Sequence, residues 1–319
     1  MFTDPHSPSS EFSVHVLREG LIESVHRCQA VVADERGRTL ASAGSSSAAI
    51  FARSALKPFQ AMAFLSTGIH ERYQLSEKDL AVMCSSHQGS RQHARQVFAM
   101  LWRADLETEH LLCPTPANAP SPLCHNCSGK HAGMLLASRS QNWSLHDYPQ
   151  RQHPVQKLIR SQLADLLHMP ADEFLAARDD CGVPTYQLQL GQMASLYAQL
   201  TAGQRADLEM LSRAMTQFPE MVGGPGRFDT ELMQASEGTV VSKSGAEGIQ
   251  CVGRCGQRLG LAIKANDGAA RAKHALTIHL LRQMGWITPA AAESLSEKFC
   301  HPGSYTRLEV DGEWDLGYS

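Results

Sequence analysis

Strand-like segments sit at both ends of this chain and helix-like spacing fills its middle, so any sheet must be assembled from opposite ends of the sequence. Near the start, "HVLREGLIESVHRCQAVVADERGRTLASAG" reads as strands joined by turns: "CQAVVA" is apolar, "DERG" has turn chemistry and "RTLASAG" leads back, as in a hairpin. From about residue 55 to 215 apolar residues recur three and four apart, in "LKPFQAMAFLSTG", "SRQHARQVFAMLWRADL" and "PVQKLIRSQLADLLH", and "PTYQLQLGQMASLYAQL" continues the pattern. Past residue 237 strand signals return in "GTVVSKSG", "GIQCVGRC" and "LGLAIKA", before "NDG" opens the amphipathic helix "AARAKHALTIHLLRQMGW". The reading is a mixed α/β fold, with one sheet formed from N- and C-terminal segments and a central helical region at about 90–230. Residues 1–20 are read as a polar tail and 1–319 as a single catalytic domain.

Composition excludes several classes of partner. A net charge of −3 supplies no basic surface for nucleic acid. No apolar run approaches the ~18 residues that span a bilayer, and "MFTDPHSPSSEF" has no basic region followed by an apolar stretch. Nine cysteines without a secretory signal point to reduced thiols and a cytoplasmic location.

Within "RSALKPFQAM", Ser54 stands three residues before Lys57, and Pro58 follows. With Ser54 as N-cap, Pro58 falls in the first turn, where a missing N–H costs little. Residues three apart share a helix face, so the lysine amine can lie near the serine hydroxyl. In its neutral form that amine accepts the serine proton and leaves a nucleophile. A capping serine beside a snorkelling lysine is the plainer reading of an S-x-x-K taken alone. "VVSKSGAEG" supplies a second lysine, Lys243, in a strand resembling the K-T-G element that accompanies S-x-x-K in serine β-lactamases and penicillin-binding proteins. "CSSHQGS" offers Ser85 and Ser86 either as exposed hydroxyls or as caps of the next helix. "CHNCSGKHAG" has a C-x-x-C, and "RDDCGVP" sets Cys181 beside two carboxylates; no second C-x-x-C exists to complete a zinc ribbon. Asp229 in "GGPGRFDTEL" reads as a cap or a partner of Arg227, and Glu247 as an acid near the lysine strand.

Taken in order, "RSALKP", "CSSHQG", "NCSGKHAGML", "DDCGVP", "GGPGRFDTELM", "SKSGAEG" and "AIKANDGAARA" resemble the Rhizobium etli-type L-asparaginase family, the asparaginase II domain family. The resemblance implies a serine β-lactamase/glutaminase-like fold, a homodimer, and hydrolysis of L-asparagine to L-aspartate and ammonia. It implies two serine–lysine pairs, Ser54 with Lys57 and Ser86 with Lys243, with Ser54 the expected nucleophile. It also implies a zinc site at Cys127, Lys130 and Cys181, serving substrate orientation rather than the nucleophile, and Arg53, His131 and Asp179 near the substrate. Arg53 suits a substrate carboxylate, and Asp179 or Asp180 its ammonium. The tail "EVDGEWDLGYS" departs from the arginine–proline ending of relatives. Two alternatives stand beside this reading: another S-x-x-K serine amidase or esterase, and a non-catalytic amino-acid-binding relative.

Overall fold

The computed structural model describes residues 11–312 and Trp314. Among these, ten strands follow one another: β1 (Phe12–Arg18), β2 (Leu21–Asp34), β3 (Thr39–Ala43), β4 (Ala49–Phe51), β5 (Ala176–Arg178), β6 (Pro184–Gln189), β7 (Val240–Gly245), β8 (Ile249–Arg254), β9 (Leu259–Ala265) and β10 (Thr306–Asp311). The chain forms two compact units, neither continuous in sequence. One takes in residues up to 50, 188–202 and 235 onward, the other 51–187 and 203–234.

The first unit is built on a seven-stranded sheet in the order β10-β1-β2-β9-β8-β7, with β3 also paired to β2. The antiparallel ladder from Cys28↔Ala265 to Asp34↔Leu259 ties the two ends of the chain together, as the split strand signals require. β8 and β9 are buried at successive positions, the mark of strands covered on both faces, and helices Leu190–Leu200 and Ala270–Gln283 pack on them. Gly260 permits the close approach of the first helix, since a Cβ there would lie 2.0 Å from the Ala194 carbonyl. Strand β1 begins inside the stretch read as a polar tail, because Phe12, Val14 and Val16 alternate inward and are buried. Residues 1–10 of that stretch, and Glu313 with 315–319 of the atypical C-terminal tail, lie outside the described residues.

The second unit is mainly helical. Its core is helix Ser128–Ser140, buried at almost every position. Two glycines let it sit against its neighbours: a Cβ on Gly129 would lie 2.0 Å from the Val82 carbonyl, and one on Gly133 2.5 Å from the Phe64 ring. The segment "PTYQLQ", expected to be helical, is instead β6, and its first residues pair with β5. Thr185 and Tyr186 favour extended backbone. Helix Leu190–Leu200 starts only after Gln189, whose side chain forms a capping box with Gln192.

Candidate active site

Ser54 is not a helix cap. A 3-10 turn, Arg53–Leu56, precedes helix Lys57–Leu65, so the helix starts at Lys57 with Pro58 in its first turn. Arg53 adopts φ 47°, a left-handed conformation that costs a non-glycine residue about 1–3 kcal/mol. It is held there by its N–H, which donates to Thr185 Oγ1 at 3.0 Å. Its guanidinium donates to Asp179 at 2.8 Å and Asp180 at 2.5 Å, one carboxylate buried and the other exposed. Burial works against the Arg53 charge, but the two carboxylates more than offset it and hold the group above its ordinary value.

Lys57 is fully buried, and its amine meets three oxygens: Ser85 O at 2.5 Å, Ser86 Oγ at 3.1 Å and Asn126 O at 3.4 Å. Its hydroxyl partner is therefore Ser86, and the bond between Lys57 and Ser54 is a backbone one, from Lys57 N–H to Ser54 O. The loop 84–90 presents Ser86 because Ser86 N–H donates to Val222 O at 2.9 Å and Gln88 N–H to Gly223 O at 3.0 Å. Neither Ser85 nor Ser86 caps the next helix; Ser90 does, accepting from His93 N–H. Gly89, at φ 72°, passes so close to the chain that a Cβ would lie 2.4 Å from Cys124 O.

Behind this loop two neutral imidazoles stack, His87 on His93 at 4.7 Å between centroids. Gly89 N–H donates to His87 Nδ1 and His87 Nε2 then donates to Ser128 Oγ at 2.9 Å, while His93 Nε2 donates to Glu220 O at 2.8 Å. Burial is the first cause that holds both histidines below the ordinary imidazole value; His93 and Lys57 push His87 further down. In the unfolded chain these rings protonate near pH 6.5, so the unfolded state binds more protons below that pH. Stability is therefore full above about pH 6.5 and falls as pH drops toward the lowered folded values. Denaturant unfolding at pH 7.5 and 5.0 is expected to show this loss, and His93→Gln to reduce it; an equal loss in the variant would contradict the assignment.

Helix Ser128–Ser140 carries the next group. Lys130, buried, donates to Cys181 Sγ at 3.1 Å and lies 3.9 Å from Asp179. Cys127 and Cys181 are both buried and share a hydrogen bond. That bond from the Cys181 thiol, with the Lys57 and Lys130 charges, holds Cys127 well below the usual thiol range; the same shared proton raises Cys181. Burial alone would discharge Lys130, yet the two sulfurs and Asp179 raise it instead. His131 Nδ1 accepts from Tyr148 Oη at 2.7 Å, which in turn accepts from Leu112 N–H, and His131 Nε2 is buried with no partner among the described residues. Tyr148 carried no sequence signal; it reaches His131 across 17 positions.

No group of three His, Cys, Asp or Glu among the described residues is arranged to hold a metal, so a metal here needs Lys130 as its nitrogen donor. The donors fit zinc. Bonds of about 2.3 Å to sulfur and 2.0–2.1 Å to nitrogen at a tetrahedral angle set N and S about 3.6 Å apart, about half an ångström more than the 3.1 Å hydrogen bond between Lys130 and Cys181. Lys243 lies in the other unit, fully buried on β7 at the edge of the sheet, and its amine donates to Ser244 O at 2.8 Å.

A serine hydroxyl thus lies on a buried lysine, and the guanidinium of the preceding turn is paired to two carboxylates. The chain belongs to the L-asparaginase II family, whose model matches residues 14–316. Solved structures similar to it include a β-lactamase from Mycobacterium bovis, 15% identical, covering 85% of this chain and 95% of that one with a TM-score of 0.45. Another is Mglu in its native form, 15% identical with a TM-score of 0.38, covering 81% of this chain and 60% of Mglu; this chain thus matches less than two thirds of that protein's length. No curated protein sequence matches the chain. No helix among the described residues is long and apolar enough to cross a membrane.

Proposed function

We propose that the protein hydrolyses the side-chain amide of L-asparagine, releasing L-aspartate and ammonia. The observation that carries this reading is the fully buried Lys57 amine at 3.1 Å from Ser86 Oγ, directly after the turn that holds Ser54. Ser54, half-buried, attacks the amide carbon, and neutral Lys57 takes its proton. Ser86 then receives that proton through Lys57 and passes it to the leaving nitrogen. When water attacks the acyl-enzyme, its proton passes through Ser86 and Lys57 to Ser54 Oγ as the ester bond breaks, with Lys243 as the second amine of this relay. The 3.1 Å contact also favours a second reading, in which Ser86 itself attacks.

Arg53 binds the substrate carboxylate, exchanging its bond to the exposed Asp180, while Asp179 takes the ammonium and His131 Nε2 offers a further polar contact. Cys127, Lys130 and Cys181 would hold zinc, which supplies a Lewis acid that orients substrate. Because the two sulfurs and the amine must give up protons to bind it, zinc uptake competes with protons. The reading further takes the two interleaved units as one catalytic domain, working as a homodimer in the cytoplasm. Equal amounts of ammonia and L-aspartate from L-asparagine, measured on purified protein, test it; a folded protein that releases neither would overturn it.

A further inference from the structure

Two stretches, "SKSGAEG" and "AIKANDGAARA", enter the sequence argument separately, and the structure joins them. β7 and β8 form a hairpin whose last rung is Gly245↔Ile249, two residues beyond Lys243. Lys273, in the first turns of helix Ala270–Gln283, is buried at 4% exposure. Its ammonium donates to Gly245 O at 3.0 Å and Ile249 O at 2.8 Å, one carbonyl from each strand of that rung. Lys264 on β9 donates to Glu247 O and Ala265 O, both at 2.6 Å. Gly245 O, Glu247 O and Ile249 O therefore end on two lysines, while Gly248 O accepts from Ala265 N–H.

The "NDG" segment decides where Lys273 lands. Asp267 accepts from Ala269 N–H at 3.0 Å, ahead of the first residue of the helix, and takes His26 Nδ1 at 2.5 Å on its other oxygen. Gly268 presses on the turn: a Cβ there would lie 2.9 Å from Glu247 Oε2, and one on Gly248 2.7 Å from Ala265 O. A buried ammonium is costly to desolvate, and an apolar residue would fill the same space at less cost. Packing alone does not account for Lys273.

We propose that Lys273 is a positioning residue for the catalytic Lys243. It fixes Gly245 O, and the Lys243 amine donates to Ser244 O at 2.8 Å, so the clamp holds the peptide that directly follows the one the amine bonds to. The inference rests on the role given to Lys243 under the proposed function.

The test is a double-mutant cycle on L-asparagine turnover with Lys273→Met, Lys243→Ala and both together. Lys273→Met is expected to lower kcat by about 10- to 100-fold, with KM changed less than about twofold. In the Lys243→Ala background it is expected to cost nothing further, since the two residues act through one amine. An equal loss in both backgrounds, or a lower melting temperature with kcat per folded molecule unchanged, would overturn the proposal. Full activity in Lys243→Ala would instead remove the reading of Lys243 and the inference with it. If Lys273→Met does not fold, Lys264→Met, which frees the same turn from a half-buried lysine, takes its place. It is expected to give a smaller loss that likewise vanishes in the Lys243→Ala background; an additive loss, or none, overturns the proposal.

Discussion

Replacing Lys57 by methionine is expected to lower kcat for L-asparagine hydrolysis by about 10⁴-fold or more, with the protein still folded. Methionine fills the volume of this fully buried side chain but offers no amine to Ser86. The cost to the fold comes from Ser85 O and Asn126 O, which lose a donor; each orphaned carbonyl is worth about 1–3 kcal/mol. Circular dichroism and a thermal melt separate that structural cost from the catalytic one. Because the amine is needed to move a proton in the transition state rather than to hold substrate, kcat and kcat/KM are expected to fall together. A variant that binds L-asparagine more weakly but turns it over at the normal rate would assign Lys57 to binding instead.

The serines give the second large effect. Ser54→Ala is expected to abolish turnover to the same degree as Lys57→Met, and combining the two to add little, because nucleophile and base act as a unit. Ser86→Ala is expected to lose about 10²- to 10⁴-fold, the range of general acid–base catalysis, since it relays the proton but forms no covalent bond. The ordering of the two losses is the readout, from steady-state kinetics on folded variants. A Ser54→Ala protein that keeps most of its activity, beside a dead Ser86→Ala protein, would transfer the attack to Ser86, the hydroxyl that Lys57 already holds.

Much of this frame was legible in the sequence where the signal is local. The two outer strand sets and the helical middle follow from periodicity, and the strand of Lys243 from its lysine–serine–glycine spacing, whereas the alternation Phe12, Val14, Val16 lies within a stretch whose polar residues mask it. What escaped depends on contacts far apart in the chain. Nothing in "RSALKP" announces a 3-10 turn before the helix, or that Arg53 takes φ 47° to reach two aspartates some 126 positions on. The spacing of Ser54 and Lys57 suggested one pair, whereas the lysine amine turns to Ser86, 29 positions away. "YQLQLGQM" carries apolar residues compatible with either a helix or a strand period, and only the pairing of β6 with β5 decides between them. In sequence Lys273 is one polar position of an amphipathic helix; its burial follows from the hairpin whose carbonyls it meets.

Ammonia release from L-asparagine, with L-glutamine in parallel, by the folded wild-type protein and by Ser54→Ala, tests the central claim most directly. The account predicts release from L-asparagine with L-aspartate as co-product, and its loss in the variant. No release by the wild type, with or without added zinc, would contradict it and leave a binding protein or a hydrolase of other esters or amides.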